Sequence, residues 1–199
     1  MNYLDESYWT QRYEQGATGW DIGYASTPLV QYLDQIENRD IKVLIPGGGN
    51  GHEAAYAFEK GFQNTFLLDF AKSPLTKFRK SNPQFPEENL LNEDFFTHKG
   101  DYDLILEQTF FCALHPDQRE AYCEKMKTLL KPNGKIVGVL FSIEFERQGP
   151  PFGGKIRDYE KLFSKYFDII KMEPCYNSIP PRRGAELFFM LQNQKSRIK

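Results

Sequence analysis

Residues 41–52 read Ile41-Lys42-Val43-Leu44-Ile45-Pro46-Gly47-Gly48-Gly49-Asn50-Gly51-His52, and their order decides the fold. A short β-branched run ends at a proline and a glycine cluster, the pattern of a buried strand that stops abruptly. Small and apolar residues then recur at helical spacing from His52 to Lys60, and Gly61 supplies the stop. The glycines allow a tight turn and let the backbone approach a ligand with no Cβ in the way. Asn64 to Leu68 reads as the next strand, and it ends on Asp69, 22 positions after Gly47. A carboxylate at that place can accept hydrogen bonds from ribose hydroxyls.

The same alternation continues outward. Ser73 to Lys80 reads as a short helix opened by Ser73-Pro74, and a weak strand at Leu90-Leu91 leads to Asp94. Tyr102 to Leu106 is a fourth strand closing on Glu107, and His115-Pro116-Asp117 opens a helix that runs to about Leu130. Lys131-Pro132-Asn133-Gly134 forms a stop and a turn before a fifth strand, Lys135 to Phe141. A helix over Asp158 to Tyr166 precedes two strands, Phe167 to Met172 and Glu186 to Leu191, and a basic tail, Lys195 to Lys199, is expected to fray. Only a loop, Pro174 to Ala185, separates those two strands, so they should pair antiparallel. The expected fold is α/β: one domain over residues 1–199, a mostly parallel seven-stranded sheet with an antiparallel last strand and helices on both faces. Ligands of such sheets bind beyond the carboxyl ends of the strands, where strand order reverses.

Composition removes several classes of function. Lys and Arg number 25 against 27 Asp and Glu, a net charge of −2, which argues against a nucleic-acid partner. No apolar run reaches the roughly 20 residues of a bilayer-spanning helix, so no membrane partner is expected. Met1-Asn2-Tyr3-Leu4-Asp5-Glu6 has neither a basic start nor an apolar stretch, so no signal peptide is read there. Cys112, Cys123 and Cys175 contain no CxxC pair; neither a disulfide framework nor a metal site is predicted, and a reducing cytoplasm is the expected home. Aromatic residues reach 15%, more than a core of this size needs.

The glycine loop admits two cofactor readings. Gly49, Gly51 and Ala54 can be fitted to a dinucleotide fingerprint, whereas Gly47-x-Gly49-x-Gly51 fits the spacing of S-adenosylmethionine enzymes equally well. The reversed final strand and the turn Leu129-Leu130-Lys131-Pro132-Asn133-Gly134-Lys135 favour the second. Four segments then carry a more specific likeness: Trp9 to Trp20 followed by Asp21-Ile22-Gly23; Pro46 to Glu53; Tyr102 to Ala113, reading YDLILEQTFFCA; and Gly149-Pro150-Pro151-Phe152. Through these the chain resembles the thiopurine S-methyltransferase family, and within it the thiol and halide methyltransferases.

That resemblance implies S-adenosylmethionine as cofactor, S-adenosylhomocysteine as product and a small soft methyl acceptor: a thiol, thiocyanate, sulfide or halide. It implies a monomer with residues 1–25 as a helical lid over the active site. It places the cofactor among Trp9, Tyr13, Trp20, Gly47, Gly49, Asp69, Phe70, Asp94, Phe95, Glu107 and Gln108. Trp20, Gln108 and Phe141 would face the transferred methyl. Relatives tend to carry Trp at the position of Tyr13, and Tyr at those of Gln108, Phe141 and Phe152. An oxygen or nitrogen acceptor served by Glu107 as base, and a nicotinamide-dependent oxidoreductase, stay open as alternatives.

The residues alone say less. Trp9 and Tyr13, four apart, present one aromatic face of a helix, which could pack on the sheet or close over a cation. Asp94-Phe95-Phe96 pairs an acceptor with a flat apolar surface, as an adenine requires. Cys112 has no cationic neighbour in sequence and reads as inert, His115 reads as a helix cap, and His52 as loop packing. Arg182-Arg183 either meets an anionic substrate or keeps a loop soluble.

Overall fold

The computed structural model describes residues 4–193; the basic tail read from Lys195 onward lies outside them. The strands are β1 (Val43–Pro46), β2 (Thr65–Leu68), β3 (Leu90–Leu91), β4 (Tyr102–Gln108), β5 (Leu130–Phe141), β6 (Asp168–Pro174) and β7 (Glu186–Gln192). They form one sheet in the order β3-β2-β1-β4-β5-β7-β6. Neighbours from β3 to β5 are parallel, and β7 runs antiparallel to both β5 and β6.

The last strand inserts between β5 and β6 because its two faces are both apolar. Leu187, Phe189 and Leu191 join one core, while Phe188 and Met190 pack on the other. Strand β6 is left at the edge with Asp168, Ile170 and Lys171 exposed, a charged rim that discourages further strand pairing.

Helices cover both faces. α2 (Thr27–Asp34), α3 (His52–Glu59) and α4 (Lys72–Ser81) bury Leu29, Leu33, Ala54, Ala57, Leu75 and Phe78 on one side. α5 (Arg119–Leu129) and α6 (Ile156–Phe163) bury Tyr122, Met126, Leu129, Tyr159 and Phe163 on the other. The first helix, α1 (Glu6–Glu14), buries no residue at all. Its place is beyond the strand ends, not on a sheet face.

Some local expectations shift. α2 adds a helix beyond those the sequence predicts, with Pro28 in its first turn and the Leu29/Leu33 spacing as its signature. α4 begins at Lys72 with Ala71 as its cap, so Ser73-Pro74 lies inside the first turn. His115 does cap, but what it caps is a 3-10 turn, Pro116–Gln118, that feeds α5. Lys131 to Gly134 is a bulged start of β5, with Asn133 at φ +64° and a register shift between Tyr102 and Leu104 opposite.

Candidate active site

The chain goes from β1 to β2 and β3 on one side, then crosses to β4 on the other, so strand order reverses between β1 and β4. Beyond that point lies a cavity of about 890 Å³. Gly47 borders it at the start of the glycine loop, in which Gly47, Gly49 and Gly51 adopt φ of +57°, +52° and +72°. A side chain at Gly47 would enter the ring of Phe110, and one at Gly49 would collide with the Tyr13 hydroxyl.

Asp69 straps this loop to the end of β2. One carboxylate oxygen accepts from the Gly49 amide and the other from the Ala71 amide, each at 2.9 Å. Burial pushes its pKa up to about 6, against the pull of those two bonds. The carboxylate still lines the cavity, and each oxygen keeps a further lone pair for a ligand hydroxyl.

Next to it, the exposed Asp94 accepts from the Phe96 amide at 2.9 Å, and its carbonyl receives the Thr97 and His98 amides. Phe95 is drawn into the core against Phe110 and Tyr122, leaving the half-buried Phe96 beside it. Phe70, Asp94 and Phe95 all border the cavity.

Trp9, Tyr13 and Trp20 also line it. Trp20 meets Trp9 edge-on at 5.3 Å and Tyr13 at 5.7 Å, so the three rings named from the sequence do converge. A sulfonium cation against such faces gains roughly 0.5–2 kcal/mol. The Tyr13 phenol is raised well above its usual pKa, first by burial and then by Asp69.

Gln108, Gly49, Tyr13 and Trp20 also enclose an adjoining pocket of about 40 Å³. The Gln108 side-chain oxygen is buried with no hydrogen-bond partner among the described residues. A buried acceptor of that kind calls for a donor or a cation. Together with the bare backbone of the glycine loop and the ring wall, it fits the amino-acid and sulfonium end of S-adenosylmethionine.

The far wall contains Cys112, Phe141, Phe145 and Arg182. Arg182 is almost fully buried; it donates to the Trp20 carbonyl at 2.7 Å, pairs with Glu186 at 3.4 Å, and lies 5.6 Å from the centre of the Phe141 ring. Sequence offered only a basic pair in a loop, with nothing to mark one member as buried. Burial drives the Cys112 thiol up to about 12, so the inert reading stands.

Of the predicted site residues, Gly49 and Gln108 border only the smaller pocket, and Glu107 reaches neither. One oxygen accepts from the Phe110 and Phe111 amides at 2.9 Å and the other from the Tyr122 hydroxyl at 2.8 Å. It shapes the turn after β4. Burial pushes its pKa from 4.5 up to about 7, so the native state holds the proton more tightly than the unfolded chain. Its contribution to stability is therefore full below about pH 4.5 and is lost as pH rises through about 7. Glu107→Gln should flatten this slope, worth ~3 kcal/mol at most. Thermal melts at pH 5 and 8 should show a wild-type decline several degrees larger than the variant's; parallel declines would refute it.

Sheet order, reversed last strand, glycine loop at the switch point and acid after β2 define a class: a Rossmann-like S-adenosylmethionine-dependent methyltransferase. Within it, the chain belongs to the thiopurine S-methyltransferase family, whose model matches residues 4–196. It is 32% identical over 187 residues to probable thiol methyltransferase 2 of Arabidopsis thaliana, covering 89% of this chain and 81% of that one. It is 33% identical to thiocyanate methyltransferase 1 of Brassica oleracea, covering 92% and 83%. Among solved structures, the 1,6-didemethyltoxoflavin-N1-methyltransferase of Burkholderia thailandensis superposes with a TM-score of 0.79 at 18% identity, over 96% of this chain and 88% of that one. That likeness shows the fold alone.

Proposed function

We propose that the protein moves a methyl group by in-line displacement from S-adenosylmethionine to a small soft nucleophile that arrives already anionic: a thiolate, thiocyanate, sulfide or halide. One observation carries this reading. Among the described residues, no histidine lines the cavity, its wall around Phe141 holds Arg147, Arg182 and Cys112, and the carboxylate beside that wall, Glu186, is paired with Arg182. Glu107, the nearest alternative, has both oxygens committed to Phe110, Phe111 and Tyr122.

When bound, the cofactor supplies an electrophilic methyl on a positively charged sulfur. Asp69 would hold its ribose, Asp94 with Phe70 and Phe95 its adenine, and Gly47, Gly49 and Gln108 its amino-acid end. Trp9, Tyr13 and Trp20 keep water out and face the cation. Arg182 makes the far wall attractive to an anion, while Phe141 leaves that anion poorly solvated. Alignment then supplies much of the acceleration. A thiol of pKa ~8.5 is partly ionised at neutral pH without help, and halides need no base. The names of the thiol and thiocyanate methyltransferase relatives point the same way.

Residues 1–25 act in this reading as the lid of a single methyltransferase domain. A monomer acting on a small molecule completes the proposal. Three free, buried cysteines suit a reducing cytoplasm. No helix of the described residues is long and apolar enough to cross a membrane.

The test is incubation with labelled S-adenosylmethionine and a panel of thiols, sulfide, thiocyanate and iodide beside phenols and amines. Methylated sulfur and halide products are expected. Between pH 7.5 and 9 the thiol rate should climb with thiolate fraction, while the thiocyanate and iodide rates stay flat. Methylation confined to phenols or amines overturns the proposal.

A further inference from the structure

We propose that Asp21 and Arg182 are positioning residues that clamp Trp20 from two sides, with Asn50 and His52 as the fixed end of the clamp. The proposal rests on the reading of Trp20 as part of the methyl-transfer wall.

The lid lacks the usual means of staying in place. α1 buries no residue, and the segment that follows contains Gly16, Gly19 and Gly23, around each of which an added Cβ would meet nothing within 4 Å. The Trp20 ring packs on Trp9 and Tyr13, while the backbone of residues 15–26 is tied by polar contacts that converge on two adjacent residues.

On one side, Arg182 donates to the Trp20 carbonyl at 2.7 Å while its own guanidinium is held by Glu186 and lies over Phe141. On the other, one Asp21 oxygen contacts His52 Nε2 at 2.8 Å and accepts the Gly23 amide at 2.8 Å; the second oxygen accepts from the Asn50 side-chain amide. A third tie follows a few residues on, where the buried Glu53 carboxylate accepts the Ser26 amide at 2.9 Å. Hydrogen bonds with one ionised partner are roughly twice as strong as neutral ones.

Asn50 and His52 flank Gly51 of the glycine loop, and Arg182 belongs to the far wall. Trp20 is thereby referenced to the cofactor side and to the acceptor side at once. A shift of the indole relative to either would misplace the wall at the point of transfer, where errors of about 1 Å are costly.

The chain has only two tryptophans, Trp9 and Trp20, and both belong to this ring cluster, so intrinsic fluorescence reads the clamp directly. Asp21→Asn and Arg182→Lys should be compared with the parent by emission maximum, acrylamide quenching with S-adenosylhomocysteine bound, kcat with thiocyanate, and melting temperature. Each variant is expected to lose ~10-fold or more in kcat, with red-shifted and more quenchable emission and a melting temperature within a few degrees of the parent. The double variant should be little worse than the worse single one, since either cut releases the same residue. His52→Gln, which keeps a donor towards Asp21, should retain most activity, and His52→Ala should not.

Parental kcat and emission in Asp21→Asn would overturn the clamp, as would activity and melting temperature falling in parallel across the variants. If no acceptor is methylated at all, the quenching measurement still decides the clamp. If Trp20 loosens while turnover is untouched, the two residues hold Trp20 but position nothing that turnover needs, which overturns the proposal and leaves the reading of the methyl acceptor standing.

Discussion

Asp69→Ala should weaken S-adenosylhomocysteine binding by ~10- to 100-fold, measured by titration calorimetry, and lower the melting temperature by several degrees. The carboxylate takes the amide hydrogens of both Gly49 and Ala71, and all three groups lie in a buried setting. Alanine leaves two donors unpaired, at a cost of ~1–3 kcal/mol each. Part of that cost can be escaped only by letting the glycine loop relax, which disorders the surface that receives the ligand. Loss of the proposed ribose contact adds to it. The same carboxyl gives a pH signature. Burial raises it from 3.8 to about 6, so its contribution to stability is full below about 3.8 and is lost as pH rises through about 6. Ligand affinity should move oppositely, growing as the carboxylate ionises and becomes a better acceptor. Unchanged affinity in Asp69→Ala would refute both the strap and the ribose contact.

Asp69 also shows where sequence reasoning works and where it stops. Its position at the end of β2 follows from strand length and the distance to the glycine loop, both visible along the chain. That its oxygens are occupied by Gly49 and Ala71 is not visible, because the Gly49 contact depends on how a loop folds back across the strand end. The sheet was legible for a related reason. Alternating strands and helices, and a loop too short for a crossover between β6 and β7, leave few topologies. The insertion of β7 beside β5 needed the burial of both its faces, which the run Glu186-Leu187-Phe188-Phe189-Met190-Leu191 hints at only weakly. Glu107 and Gln108 sit side by side at one strand end and look alike in sequence. Strand alternation sends one into the core and the other to the site, and only the Phe110 and Tyr122 contacts reveal which. Arg182 and Asp21 were the least legible, since each acts through partners 162 and about 30 positions away.

Trp20→Ala should lower kcat by ~100-fold, equivalent to ~3 kcal/mol of transition-state stabilisation, while the melting temperature moves by only a few degrees. The asymmetry follows from where the ring spends its contacts. Its ring neighbours are Trp9 at 5.3 Å and Tyr13 at 5.7 Å, with the Arg12 guanidinium 5.7 Å from its centre, and the helix that carries these residues buries nothing in the core. Such edge-on pairs contribute ~0.5–1.5 kcal/mol each, and the lid can lose them without exposing the sheet. In the proposed reaction chemistry loses more. The indole would offer a face to a cation beside the glycine loop, worth ~0.5–2 kcal/mol when desolvated. It would also exclude water that otherwise solvates the attacking anion. Alanine opens that wall, and the tethers on the Trp20 carbonyl and on Asp21 then hold a backbone with nothing to position. Trp20→Phe should recover most of the turnover, because it restores a face and a seal while removing only the indole N–H. If alanine instead reduced kcat and melting temperature in proportion, and phenylalanine restored both together, Trp20 would be a packing residue and the aromatic roof would have no part in methyl transfer.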